Sequence, residues 1–220
     1  MTSPAVRALL AHLADRGFDG LPTADGGTTT PYPYALSDEG VWGVGGMLRR
    51  LHEAGAGFRL PAGTAWEPWW MHDDGPGSVI GHCDAGPWHV LMRDGRPVAF
   101  VGWDLAGPVD RLEEVAATAL WNASLRDDDI AERYSFPDVE ARAQQVAHVL
   151  DGYELPRGDR IGMVDSMIEV CIRDCAAEAV AAGITPESLD PAPLWGLAWR
   201  ARAAAWMIRH RTTLERAVRQ

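Results

Sequence analysis

One stretch, residues 78–108, restricts the fold of this chain more than any other. Val79-Ile80-Gly81 leads into His82-Cys83-Asp84, and His89-Val90-Leu91-Met92 reads as a short strand. Arg93-Asp94-Gly95-Arg96 carries the Asp-Gly pair of a tight hairpin turn. Pro97-Val98-Ala99-Phe100-Val101 then returns, closing at Gly102-Trp103-Asp104. Around this hairpin the apolar pattern is helical. Val6, Leu9, Leu10 and Leu13 repeat at helical spacing over residues 4–17. Ser37-Asp38-Glu39-Gly40 is an N-cap signature for a helix running to about Ala54, with Val41, Val44, Leu48 and Leu51 inward. Beyond Val109 the expected helices cover 109–121, 137–150, 160–182 and 190–217. Residues 20–36 and 55–77 read as loops, the second rich in tryptophan. The expected fold class is α+β, mainly α.

The helices beyond the hairpin carry further expectations. Over 160–182, Ile161, Val164, Ile168, Cys171, Ile172, Cys175 and Ala179 form a wide apolar stripe. Over 190–217, Trp195, Trp199 and Trp206 share one face, read as core or as the interface of a homodimer.

Composition limits the chemistry. The 220 residues suit one domain, and 31 acidic against 20 basic side chains leave a net charge of −11. That excess argues against nucleic acid and anionic membrane as partners. Every basic residue is arginine. No lysine is present to hold a phosphate, form a Schiff base or act as a general base, although a GC-rich coding background would remove lysine equally well. Met1-Thr2-Ser3-Pro4 lacks the basic flank and apolar run of a signal peptide, and three cysteines are too few for a disulfide framework. The expected location is the cytoplasm.

The spacing His82-x-Asp84-x-x-x-x-His89, then the hairpin and Val101-Gly102-Trp103-Asp104, has the layout of a kinase catalytic loop and metal loop. The wider string from Val79 to His89, with Gly95-Arg96-Pro97-Val98 and Trp103-Asp104-Leu105-Ala106-Gly107-Pro108, resembles the aminoglycoside phosphotransferase and choline kinase-like family. Leu48-Arg49-Arg50-Leu51-His52-Glu53 is similar to that family's helix before the catalytic loop. The resemblance implies a protein-kinase-like, aminoglycoside phosphotransferase-type C-lobe with a small β-hairpin, its N-lobe strands largely missing. On that reading residues 1–220 are a single truncated domain. Residues 1–54 hold a remnant helix, a loop and the first C-lobe helix; 78–108 hold the catalytic-loop and metal-loop hairpin; 109–220 form a helical subdomain.

The resemblance places Asp84 at the catalytic-base position. It places His89 where the family has a metal-binding asparagine, and Gly102 where it has a metal-binding aspartate. Magnesium takes oxygen ligands in strict geometry, which an imidazole and a glycine do not supply. No Gly-rich phosphate loop precedes the first helix. No cofactor and no metal are therefore expected, and magnesium-dependent phosphoryl transfer by this chain alone is not expected either.

The candidate catalytic residues are Asp84, His89 and His82. Asp84 reads either as a general base or as a structural carboxylate bonded to amides of its own loop. His89 is either an acid/base group that titrates near neutral pH or drift after the loss of magnesium. His82 reads as loop support. The three fit a transition-metal site poorly by spacing. Trp88, Trp103, Asp104 and Trp70 are the candidate ligand-binding residues, and Asp104 either faces the cleft or caps the next helix. Cys171 and Cys175 read as buried apolar residues, and Asp73-Asp74 and Asp127-Asp128-Asp129 as solvated loops. Cys83 would need a lowered pKa to act as a nucleophile.

The function expected is ATP-independent acid/base chemistry (isomerisation, cyclisation or elimination) on a small specialised metabolite. Two alternatives stand beside it: a non-catalytic binding or sequestering protein, and a residual phosphotransferase needing a partner nucleotide lobe. The expected ligand is a small molecule, cationic or aromatic.

Overall fold

The computed structural model describes residues 2–23 and 26–220. Helix α1 (Pro4–Asp15) starts at the Ser3 cap, whose hydroxyl accepts from the Val6 amide. The short β1 (Thr28–Thr29) follows, then α2 (Asp38–Gly55), capped by Ser37 as its sequence signature predicts. Strands β2 (Val79–Gly81), β3 (Val90–Arg93), β4 (Arg96–Phe100) and β5 (Gly107–Val109) come next. The remainder is helical: α3 (Arg111–Asn122), α4 (Asp128–Arg133), α5 (Val139–Gly152), α6 (Met163–Ala181), α7 (Pro191–Arg209) and α8 (Arg211–Val218).

The expected hairpin is present, with Val90 opposite Phe100 and Arg93 opposite Arg96 around the Asp94-Gly95 turn. β1 adds to its β3 edge, giving the antiparallel order β1–β3–β4. A separate pair, β2 with β5, sets Gly81 against Gly107 and anchors the start of the loop that carries Asp84, whose other end enters β3 of the first sheet.

The core forms between α2, α3, α5 and α6, with Val41, Val44, Leu48 and Leu51 of α2 all fully buried. α2 crosses α5 at backbone distance. A Cβ on Gly45 would lie 2.8 Å from the Tyr153 amide nitrogen and closer to the Val149 carbonyl, so only glycine permits this approach.

Three expectations need correction. The helix expected over 190–217 is two helices that meet at His210, because Leu214, Ala217 and Val218 turn to pack α8 onto α5. The apolar stripe of α6 is narrower than its sequence suggests, since Ile161 is 80% and Ile172 is 56% exposed. The acidic run 127–129 is not a solvated loop. Asp127 caps α4 and pairs with Arg202 and Arg209, while the Trp206 indole donates to Asp128 at 2.8 Å. Those acids sit where arginines of α7 arrive from far along the chain.

Candidate functional site

The loop between β2 and β3 is held from beneath by a fully buried carboxylate. Glu114, on α3, accepts from the Cys83 amide at 2.7 Å and from His52 Nε2 at 2.6 Å, while His52 Nδ1 meets the Tyr153 hydroxyl at 2.7 Å. Burial alone would push the Glu114 carboxyl up. The hydrogen bond and charge of His52, with the Cys83 amide, outweigh it and hold the carboxyl below its ordinary range. This buried pair fixes the backbone one residue before Asp84.

On that platform Asp84 points both oxygens at donors. Oδ1 accepts from the Trp88 indole at 3.0 Å, and Oδ2 lies 3.1 Å from His89 Nδ1. Its partners are side chains rather than amides of its own loop. The same His89 nitrogen lies 3.1 Å from the Asp84 carbonyl oxygen. Burial by itself would pull the His89 imidazole down. The hydrogen bond and charge of Asp84 prevail, Asp104 adds to them, and the ring titrates above its ordinary value. His82 is fully buried; its Nε2 donates to the Val101 carbonyl at 2.8 Å, and burial pulls its pKa down, favouring the neutral ring.

The remaining candidates divide. Trp88 borders Asp84 directly. Trp103 is only 6% exposed, donates to the Phe100 carbonyl and packs 4.7 Å from His82, so it floors the site from the core side. Asp104 is exposed in the short turn Trp103–Leu105 and acts on His89 through its charge. Trp70 stands apart, over Arg173 at 4.9 Å. Its neighbour Trp69 is the one that reaches the loop, donating to the Cys83 carbonyl at 3.3 Å. Burial pushes the Cys83 thiol well up, which removes it as a nucleophile. Cys171 is pushed up to about 12 for the same reason.

The magnesium of the resembled family does not fit these residues. His89 Nδ1 is committed to Asp84, and the imidazole lies against Gly102, so the two positions offer only the second imidazole nitrogen and no side-chain oxygen, where magnesium takes oxygen ligands. Among the described residues no group of three or more His, Cys, Asp or Glu side chains is placed to hold an ion.

No family model matches the chain. The trifolitoxin immunity protein of Rhizobium leguminosarum bv. trifolii is 46% identical over 231 residues, a match spanning 98% of this chain and 88% of that protein. The chain belongs to the trifolitoxin immunity protein family. The crystal structure of a choline/ethanolamine kinase family protein from Mesorhizobium loti superposes with a TM-score of 0.56 at 16% identity, covering 98% of this chain and 82% of that one. The chain thus has a kinase-like fold at the coarse level. Among the described residues no helix is long and apolar enough to cross a membrane.

Sequence reasoning missed three polar residues around the site. Glu114 has the local signature of an ordinary acid in the first turn of a helix, and His52 entered only within the string Leu48–Glu53 that resembles the family's helix. Arg126 carried no local signal at all, yet its side chain lines a cavity behind Trp88.

Proposed function

We propose that this chain confers immunity to a toxin by holding it in the cleft beside Asp84 and His89, without magnesium-ATP phosphoryl transfer. The observation that carries this reading is the closed state of Asp84, with one oxygen on the Trp88 indole and the other on the His89 imidazole. A carboxylate with a donor on each oxygen is a weaker base toward a substrate hydroxyl, and the residues around it do not suit magnesium. The immunity-protein relative supports the toxin as ligand, and the kinase-like fold supports the cleft as its seat. In the same proposal the chain is one domain equivalent to an acceptor lobe, working in the cytoplasm.

A second reading is favoured by the same contact. Asp84 orients His89 and stabilises its protonated ring, which is the arrangement of an acid/base dyad acting on the ligand. Incubation of the purified chain with trifolitoxin, with and without magnesium and ATP, separates these. Capture predicts a thermal shift with toxin alone and recovery of the toxin unchanged. Chemically altered toxin that requires His89 would favour the dyad. An ATP-dependent shift with formation of ADP would overturn both.

A further inference from the structure

A cavity of about 210 Å³ lies behind Trp88, walled by Tyr32, Tyr34, Trp88, Trp195 and Trp199, with Arg126 among its lining residues. The rings touch in series. Tyr34 lies 5.6 Å from Trp88, Trp88 is 5.9 Å from Trp121, and Trp121 is 5.4 Å from Trp199. The Arg126 guanidinium lies 4.2 Å from the centre of the Trp199 ring.

Arg126 differs from the arginines around it. Arg200 bonds Asp174, and Arg202 bonds Asp127 and Asp129. Arg142 has its guanidinium on the Arg126 carbonyl at 2.7 Å and lies near Asp128. Arg126 Nη1 is buried and has no hydrogen-bond partner, and among the described residues no carboxylate bridges to its guanidinium. Burial pulls its pKa down to about 10, and Arg200 adds like-charge repulsion. A buried charge without a counter-ion is costly, and a chain with 31 acidic residues has no shortage of potential partners.

We propose that this cavity is a binding site for a small aromatic carboxylate, whose ring enters the box of Tyr34, Trp88 and Trp199 and whose carboxylate pairs with Arg126. A guanidinium facing a carboxylate gives charge-assisted hydrogen bonds, stronger where water is excluded. The volume, below the roughly 300–1,000 Å³ of drug-sized pockets, suits a single ring. A cation is disfavoured by the uncompensated arginine. Because Trp88 also donates to Asp84, an occupant would sit one indole away from the Asp84–His89 pair. The site stands on these residues alone and does not depend on toxin capture.

The test uses para-fluorobenzoate, para-fluorobenzamide and para-fluorobenzylamine, followed by fluorine NMR line broadening on the full chain. The carboxylate should bind about tenfold tighter than the amide, and the amine weakest. In Arg126→Gln the carboxylate's advantage should vanish. Trp195→Ala, at a ring that is 41% exposed and tolerant of change, should weaken the carboxylate several-fold without unfolding the protein. Equal binding of all three probes, preference for the amine, no binding, or an undiminished carboxylate preference in Arg126→Gln would each overturn the proposal. So would unchanged carboxylate binding in Trp195→Ala if Arg126→Gln does not fold. Protection from toxin that survives loss of carboxylate binding would leave this site intact and show that toxin capture happens elsewhere.

Discussion

The imidazole of His89 stands where a side chain on Gly102 would have to begin. A Cβ on Gly102 would lie 2.8 Å from Cε1 of that ring, and closer still to Cδ2 and Nε2. Gly102 also has φ +70°, a left-handed conformation that side chains disfavour. The two positions are therefore coupled: what position 102 can carry depends on what stands at 89. While His89 holds this position, a side chain at 102 has no room.

Gly102→Asp should accordingly destabilise the chain by about 2–4 kcal/mol, combining backbone strain with overpacking against His89. His89→Asn together with Gly102→Asp should recover at least ~1 kcal/mol of that loss. Urea unfolding of the two single variants and the double measures the coupling, and strictly additive losses would refute it.

The His89–Asp84 pair should make stability depend on pH near neutrality. The folded imidazole titrates above the ordinary value of roughly 6.5. Its stabilising contribution is thus complete below that value and fades as pH rises through the higher folded pKa. Asp84→Asn should return the imidazole toward its ordinary value. NMR titration of the His89 ring in both proteins reads this directly, and an unmoved midpoint in Asp84→Asn would contradict it.

Glu114→Ala leaves His52 and the Cys83 amide without their acceptor in a fully buried position. The expected cost is about 3–5 kcal/mol in denaturant unfolding, with the Asp84 loop losing amide protection first. Since the folded Glu114 carboxyl lies below its ordinary range, its contribution is present above that range. It is lost only as pH falls through the lower folded value, so Glu114→Gln should have a flatter acid limb than the native chain.

Asp127→Ala removes the cap of α4 and the carboxylate shared by Arg202 and Arg209. A loss of about 1–2 kcal/mol is expected, mostly from the cap, since the arginines are partly exposed. Thermal unfolding at low and high salt should show a difference between native and variant that shrinks only slightly with salt.

Much of the architecture was legible in advance. The Asp94-Gly95 turn, the Ser37 cap and the apolar repeats of α1 and α2 each depend on residues within a turn or two of each other. The misreadings share the opposite character. Asp127-Asp128-Asp129 looks solvated to any local rule, because the arginines of α7 that meet it lie more than seventy residues later. The turn at His210 is set by the groove of α5 that α8 must reach, not by a breaker in its own sequence. In the site, Asp84, His89 and Trp88 were legible as neighbours in a short motif, whereas Trp103 faces inward because it packs on His82 and Phe18.

By itself the sequence determined the hairpin, the helices that surround it, and the loss of lysine and oxygen ligands, because each is a property of residue identity or of near neighbours. Only the tertiary structure decided that His89 closes onto Asp84 in the space beside Gly102, and that Arg126 has a buried guanidinium nitrogen with no carboxylate on it among the described residues. Those outcomes depend on which distant groups share a desolvated volume. Desolvation and long-range pairing act on the folded surface as a whole and leave no mark at any one position of the chain.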